Sequence, residues 1–480
     1  MPRPDLVDRE AEQAALRSLA SQDGPRLGLL YGRRRVGKTF LLDRVWPDRR
    51  VFYFLAADST PALNRLDFIR DLASFGERPL PPEDFPTWRT VFRQLVTLAR
   101  AEPLIVVIDE FQYVLGGDDD AASQLVAVWD RELENADLTM ILCGSEIDVM
   151  ARLGEADQPL HGRFDWSHRL RPFDYFDTRR MLADRPLRQA AEAYGMLGGT
   201  PQYLAYIQAG ASLADEVSRT VLDPAGPIRN RLEHLIEQEK GIRKPAEYRA
   251  VLSAIARGRT ERNEIAAGAA LQDRPETVRS ILGRLEDLGW IWSETNFGAP
   301  SNAPIRYRIA DNAIKFWYRF IDTNRSALES GDPAEIWSLK IAPHLDTFMG
   351  KVFEGIAREA YVRRHGDWRL PPADQWARWE GLDRDKRSIE VDIVAPLADG
   401  GMLTGEVKWS RRPVGPALHT GLLRGLGALA ASGQGWAREA LPEADASRYL
   451  YVSAGGFTPA FVELAAGEQR ITLLDLESLY

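Results

Sequence analysis

Eight consecutive residues, Gly32-Arg33-Arg34-Arg35-Val36-Gly37-Lys38-Thr39, have the types and spacing of a loop that cradles phosphates. Glycines at 32 and 37 let backbone N–H groups curl around phosphate oxygens. Lys38 brings a charge to the outer phosphates of a nucleoside triphosphate, and Thr39 offers a hydroxyl to magnesium. The apolar run Leu29-Leu30-Tyr31 precedes the loop and the amphipathic segment Phe40–Trp46 follows it, so strand, loop and helix come in the required order. A second apolar run, Leu104–Ile108, ends in Asp109-Glu110. A buried parallel strand delivers such residues to its C-terminal edge, where Asp109 would hold hydrated magnesium and Glu110 would polarise a water; alone, the pair could also be a helix N-cap. A third run, Leu138–Cys143, leads into Gly144-Ser145. Ser145 there either senses a terminal phosphate or makes an ordinary turn.

A second set of residues lies near the other end of the chain. In Ser388–Val394 the alternation puts Ile389, Val391 and Ile393 on one face and Glu390 and Asp392 on the other. Fourteen residues after Asp392, Gly405-Glu406-Val407-Lys408-Trp409 repeats the arrangement, with Glu406 and Lys408 opposite Val407. Adjacent strands would bring two or three carboxylates and a lysine to one spot, which is the inventory for holding magnesium, activating a water and steadying a scissile phosphate. Glu354, on an expected helix Phe348–Arg363, lies upstream.

These residues need elements to position them. From about Leu6 to Arg185, apolar runs that also include Leu27–Tyr31 and Val51–Ala56 alternate with amphipathic stretches, as in a parallel sheet covered by helices. From Arg188 to Ile321 the periodicity is mostly helical, with segments Glu247–Arg257, Arg262–Gly268 and Glu276–Leu288. Strand-like runs Trp290-Ile291-Trp292 and Ile305–Ile309 follow, and three helices with a two-stranded wing make a winged helix. Its third helix carries Thr277, Arg279, Ser280 and Arg284, suited to nucleic acid, beside Glu276, Glu286 and Asp287, which would repel it. A connector packed between domains accounts for the same pattern. Breaker residues Glu329–Pro333 open the last unit. The expected domains are a nucleotide domain over 1–185, a helical lid over 186–245, a winged helix and linker over 246–330, and a last α/β domain over 331–480.

Bulk properties agree with several domains. At 480 residues the chain exceeds one hydrophobic core, and 45% hydrophobic with 27% charged residues is a globular composition. A net charge of -9 excludes indiscriminate coating of DNA and confines any nucleic-acid contact to a local patch. No apolar run approaches the roughly twenty residues of a membrane span, and the N-terminal residues lack the pattern of a secretion signal. The single Cys143 leaves no disulfide framework and no cysteine zinc site. The expected location is the reducing cytoplasm, with no membrane partner.

Together these residues resemble the AAA+-like STAND ATPases, and within them the archaeal-type ATPase family, over nearly the whole chain. Leu6-Val7-Asp8-Arg9-Glu10-Ala11-Glu12 is similar to the family's N-terminal box beside the nucleotide, with Asp8 in place of a glycine, and implies a nucleotide contact by Arg9. Pro159-Leu160-His161-Gly162-Arg163 is similar to the segment after the sensor strand and implies that Arg163 approaches the phosphates, although a lone arginine is as often a surface ion-pair residue. Gly198-Gly199-Thr200-Pro201-Gln202-Tyr203-Leu204 resembles the Gly-x-Pro signature of the lid. Tyr307–Ile321 resembles the linker into the last domain, its aromatics reading as core. The last domain resembles the PD-(D/E)xK restriction-endonuclease-like fold, with Asp392, Glu406 and Lys408 at its metal and catalytic positions, Glu354 at its first-helix acid, and Val391 where proline is usual. The resemblance implies a P-loop NTPase sheet with helical lid, winged-helix connector and nuclease-like domain, binding ATP and Mg2+. It implies an ATP-hydrolysing switch acting on DNA through a magnesium-dependent last domain, with a nucleotide-dependent homo-oligomer as a further expectation. The alternative is a nucleotide-regulated binding protein whose last domain is catalytically silent.

Overall fold

Every residue of Leu104–Asp109 and Leu138–Gly144 is buried. Continuous apolar runs require this, because a strand without polar alternation has two faces to cover. The computed structural model describes residues 7–116, 120–239 and 242–480; Leu6, the first residue of the expected N-terminal box, lies outside them. Strands β1 (Arg26–Tyr31), β2 (Val51–Leu55), β3 (Leu104–Asp109), β4 (Leu138–Gly144) and β5 (Trp166–Arg169) form a parallel sheet in the order β2-β3-β4-β1-β5. Along β3 the side chains alternate between two cores: Leu104, Val106 and Ile108 join one with Val91, Phe92 and Leu95, while Ile105 and Val107 join the other with Leu16 and Leu19. The first helper helix, Trp88–Ala101, buries positions 91, 92, 95, 96 and 99, one stripe at helical spacing, and starts at Thr87, whose side chain accepts from Thr90 N. Among the described residues no helix is long and apolar enough to cross a membrane.

The chain divides into two compact units, one running to Pro172 with Thr200–Gln202, the other comprising Phe173–Gly199 and Tyr203–Tyr480. The first division falls ahead of the boundary expected at residue 185. The reason lies in the long helix Ala342–Arg364, which holds residues 174–194 with polar contacts. Its Glu359 accepts from Tyr194 Oη at 2.7 Å and Tyr175 N at 3.2 Å, and its Arg363 pairs with Asp174 at 2.8 Å and Asp177 at 3.2 Å. At the end of helix Leu187–Leu197, Gly199 O accepts from Phe173 N at 2.8 Å. A Cβ on Gly199 would stand 1.7 Å from Phe173 O, so close backbone approach requires glycine there, while Gly198 takes a positive φ of 63°.

Within the second unit, helices Pro245–Ala256, Arg262–Gly268 and Pro275–Asp287 precede the hairpin of β6 (Ile291–Glu294) and β7 (Arg306–Ile309), the expected winged-helix arrangement. Trp317, Tyr318 and Phe320 are buried, as core aromatics should be. The C-terminal sheet has the order β12-β11-β10-β9-β8. Its strands are β8 (Ala377–Leu382), β9 (Ser388–Pro396), β10 (Met402–Lys408), β11 (Ser447–Ser453) and β12 (Ile471–Asp475). Strands β8, β9 and β10 pair antiparallel, and β10, β11 and β12 parallel.

The expected strict alternation of β9 breaks at one place. Trp379 pairs with Val391 but Ala377 pairs with Val394, so β9 carries one extra residue. Past this bulge Ile393 joins the core of the long helix, whereas Val391 packs in the opposite core with Leu422 and Leu426. Bulges re-aim side chains, and here the residue beside the extra one is Asp392.

Burial pushes the Glu359 carboxyl up to about 7 from 4.5, against the hydrogen bond from Tyr194 that lowers it. An acid with a raised folded value contributes its stability below its unfolded value and loses it as pH rises through the folded value. The wild-type melting temperature should therefore fall from about pH 5 to about pH 8, by the equivalent of about 3 kcal/mol or less for this one group. Glu359→Gln should flatten that part of the profile, as differential scanning calorimetry across pH would read.

Candidate functional sites

The phosphate cradle begins where β1 ends. Gly32 N donates to Gly144 O at 3.3 Å, and a Cβ at Gly32 would stand 2.3 Å from Leu170 O. Gly37, at φ 98°, turns the chain into helix Lys38–Leu42. These are positions that only glycine meets without strain. Arg35 also takes a positive φ, 72°. Lys38 is buried, and its ammonium donates to Gly32 O at 2.8 Å and Arg33 O at 3.0 Å. Arg34 donates to Tyr113 Oη at 3.4 Å.

Two acidic residues close the site from β3. Thr39 Oγ1 donates to Asp109 Oδ2 at 2.8 Å, and Tyr53 Oη donates to the same oxygen. Burial and the Asp109 charge push the Tyr53 hydroxyl well above its ordinary range, so it remains a donor. Glu110 turns away from the strand at φ 55°. Its Oε2 accepts from Ser145 Oγ at 2.7 Å and from Gln112 Nε2. Gln112 Oε1 lies 2.4 Å from where a Cβ on Gly144 would be, so the glycine before Ser145 makes room for the group that holds Glu110. A magnesium nucleotide fits these residues. The loop glycines and Lys38 could hold the phosphates, Thr39 and Asp109 could hold the metal, and Glu110, held by neutral groups, is able to orient a water.

The second cluster sits on β9, β10 and the long helix. Asp392 Oδ2 accepts from Val407 N at 3.0 Å and from Lys408 Nζ at 3.1 Å, and Lys408 also donates to Glu406 Oε2 at 2.5 Å. Burial raises Asp392, but the Lys408 charge and the Val407 amide outweigh it and leave the carboxyl below its usual range. Burial and the Asp392 charge drive Glu406 the other way, up to about 7. Glu354, Glu390 and Asp392 offer carboxylate oxygens within 4.8 Å of one another, a set able to hold a divalent ion. Lys351 donates to Glu354 and Glu390 at 2.9 Å each. Arg378 pairs with Glu354 at 3.7 Å, with Glu380 at 2.8 Å and with Glu390.

Residues 6–207 match a family described as the ATPase domain predominantly from Archaea. Residues 6–207 are thus an ATPase domain of the archaeal P-loop type. Residues 317–417 match a second family, described as archaeal and bacterial proteins of unknown function. An uncharacterized protein of Methanocaldococcus jannaschii is 25% identical to this ATPase over 404 residues, which are 81% of the chain and 87% of that protein. Among solved structures, a Walker-type ATPase of Pyrococcus abyssi shares the fold at TM-score 0.50 and 24% identity, covering 66% of this chain and 99% of its own. The ORC2 protein of Aeropyrum pernix, solved as ADPNP and ADP complexes, is more distant, at TM-score 0.44 and 15% identity over 68% of this chain and 96% of its own.

In this ATPase the cradle, Asp109, Glu110 and Ser145 come together as the motifs imply. Two arginines that the resemblance implies at the nucleotide are engaged by protein groups. The Arg163 guanidinium forms a two-point ion pair with Asp130, at 2.9 and 2.7 Å, and donates to Pro159 O and His161 O. Arg9 donates to Val36 O of the cradle at 3.4 Å and to Arg171 O at 2.6 Å. Asp8 stands where the family has glycine and keeps a glycine-like φ of 61°, a conformation aspartate tolerates better than most residues. In the C-terminal cluster, Glu406 was expected among the metal ligands; the carboxylates whose oxygens lie within 4.8 Å of one another are Glu354, Glu390 and Asp392. Glu406 projects from the face of β10 opposite Val407, which joins the long helix's core, and Lys408 holds it. Sequence reading also missed Tyr53, Gln112, Lys351 and Arg378. Only Glu390 carried a signal, its shared face with Asp392.

Replacing Lys38 with Ala should abolish measurable nucleotide binding in a fluorescent-analogue titration while leaving the melting profile intact. Glu110→Gln should bind nucleotide with unchanged affinity yet turn ATP over about a hundredfold more slowly, the usual contribution of a positioned base. Equal loss of binding and turnover in Glu110→Gln would reverse the roles assigned to Asp109 and Glu110.

Proposed function

We propose that this ATPase is an ATP-binding and ATP-hydrolysing switch whose nucleotide state governs a magnesium-dependent, nuclease-like last domain acting on DNA. The observation that carries the hydrolytic part is the pairing of two adjacent carboxylates with different neighbours. Asp109 is joined to the cradle through Thr39, and Glu110 is joined to the next strand through Ser145. ATP supplies the phosphoryl group, and Mg2+ draws off its charge when bound. Lys38 and the loop amides position the phosphates, Asp109 and Thr39 orient the metal's shell, and Ser145 and Gln112 fix Glu110 for the water.

Support for the nuclease-like part comes from the meeting of Asp392, Glu406 and Lys408 on β9 and β10, with Glu354 on the neighbouring helix. Asp392 and Glu354 would hold metal, and Lys408 would steady a phosphate. The hairpin arginines are engaged, Arg306 with Glu380 at 3.1 Å and Arg308 with Glu294 and Glu380. Arg279, paired with Glu276 at 3.3 Å, and Ser280 are exposed on the third helix and are the groups this reading offers to a DNA backbone.

One observation favours the alternative of a silent last domain: Lys351, Arg378 and Lys408 already neutralise much of its acidic cluster. A magnesium-dependent plasmid-nicking assay separates the two. The proposal expects nicking by the wild type and at least a tenfold loss in Lys408→Ala with metal binding retained. Equal background nicking by both proteins would leave only the nucleotide switch and a binding domain.

A further inference from the structure

We propose that Lys351 and Arg378 are resident counter-cations of the Glu354–Glu390–Asp392 group, which a divalent ion must displace, and that the β6–β7 hairpin tunes that occupancy through Glu380. The inference rests on the reading of this group as a metal site and concerns the residues that oppose loading. Three carboxylates with oxygens within 4.8 Å of one another repel strongly unless cations lie among them. Here they do. The Lys351 ammonium bridges Glu354 and Glu390, 2.9 Å from each. The Arg378 guanidinium, on a side chain only 9% exposed, reaches Glu354 at 3.7 Å and pairs with Glu390. A cation so enclosed is retained only where acids neutralise it, and a divalent ion competes for those same acids.

Arg378 has a second anchor. Glu380, two residues along β8, takes its guanidinium at 2.8 Å, Arg306 at 3.1 Å and Arg308 at 3.4 Å. The segment joining the hairpin strands grips β8 at that point. Asn296 donates to Glu380 O at 2.7 Å and accepts from Glu380 N at 3.2 Å, while Phe297 N donates to Arg378 O at 3.0 Å. One carboxylate is thus shared by three guanidinium groups. Arg306 and Arg308 compete with Arg378 for Glu380, so in their presence Glu380 should draw less on Arg378, whose guanidinium also reaches Glu354 and Glu390. Without them, Glu380 would draw Arg378 away and open the group to metal.

Calorimetric titration of the nucleotide-free full chain with MnCl2 tests this, with Asp392→Asn defining the binding that belongs to the group. Lys351→Gln and Arg378→Gln should each bind Mn2+ about tenfold more tightly than wild type, an ordinary coupling between competing ligands. The Arg306→Gln/Arg308→Gln double variant should gain about threefold by the same coupling. Without metal, both single variants should melt below wild type, and Mn2+ should restore them, a rescue that a merely structural residue would not show. Lys351 is half exposed, so Lys351→Gln should remain folded even if Arg378→Gln does not. Unchanged or weaker Mn2+ binding in Lys351→Gln overturns the inference, while wild-type binding that Asp392→Asn removes keeps the metal-site reading. Absence of Asp392-dependent binding in every variant overturns both.

Discussion

Thr39 Oγ1 reaches Asp109 Oδ2 across 2.8 Å, and much of the first unit is organised so that this can happen. Asp109 ends β3, and Thr39 lies in the helix Lys38–Leu42 that the loop after β1 leads into, with β4 running between β1 and β3. A hydroxyl on the helix that follows one strand meets a carboxylate at the end of another only if the strands point the same way and finish at one edge. Parallel pairing provides that alignment, and it demands apolar cover on both faces, hence the complete burial of β3 and β4. Space is needed as well. Gly32 and Gly144 lie where any side chain would collide with Leu170 O or Gln112.

The two candidate sites treat their carboxylates differently. Glu110 is held by a hydroxyl and an amide, which fix its direction. Such a group can act on a water. Asp392 and Glu406 share an ammonium, and Glu354 and Glu390 share another. There the acids already have cations for partners. Both sites fix a strand carboxylate with a donor from another element: Thr39 of the helix after the cradle for Asp109 and the Val407 amide of β10 for Asp392.

The parts legible in the sequence were those written as local pattern. Four apolar runs became β1 to β4, the phosphate loop kept its strand and helix flanks, and the winged-helix elements fell within a residue or two of their expected limits. What escaped depends on pairing across long separations. β5, Trp-Ser-His-Arg, and β8, Ala-Arg-Trp-Glu-Gly-Leu, lie at the ends of their sheets and lack continuous apolar runs. The bulge in β9 is a fact about its partner, and reading β9 alone gave an alternation that fails beyond Asp392. Arg163 meets an aspartate 33 residues earlier, and Arg378 meets acids from a helix and two strands, encounters that no spacing announces.

The central claim is that Asp109, tied to Thr39, makes nucleotide binding depend on magnesium. Calorimetric titration of the wild type and Asp109→Asn with ATP, each with and without Mg2+, tests it directly. The wild type should bind ATP at least about tenfold more tightly with Mg2+, a gain worth about 1.4 kcal/mol, and Asp109→Asn should bind equally well with and without it. An Asp109→Asn protein that keeps the full magnesium-dependent gain would contradict the account.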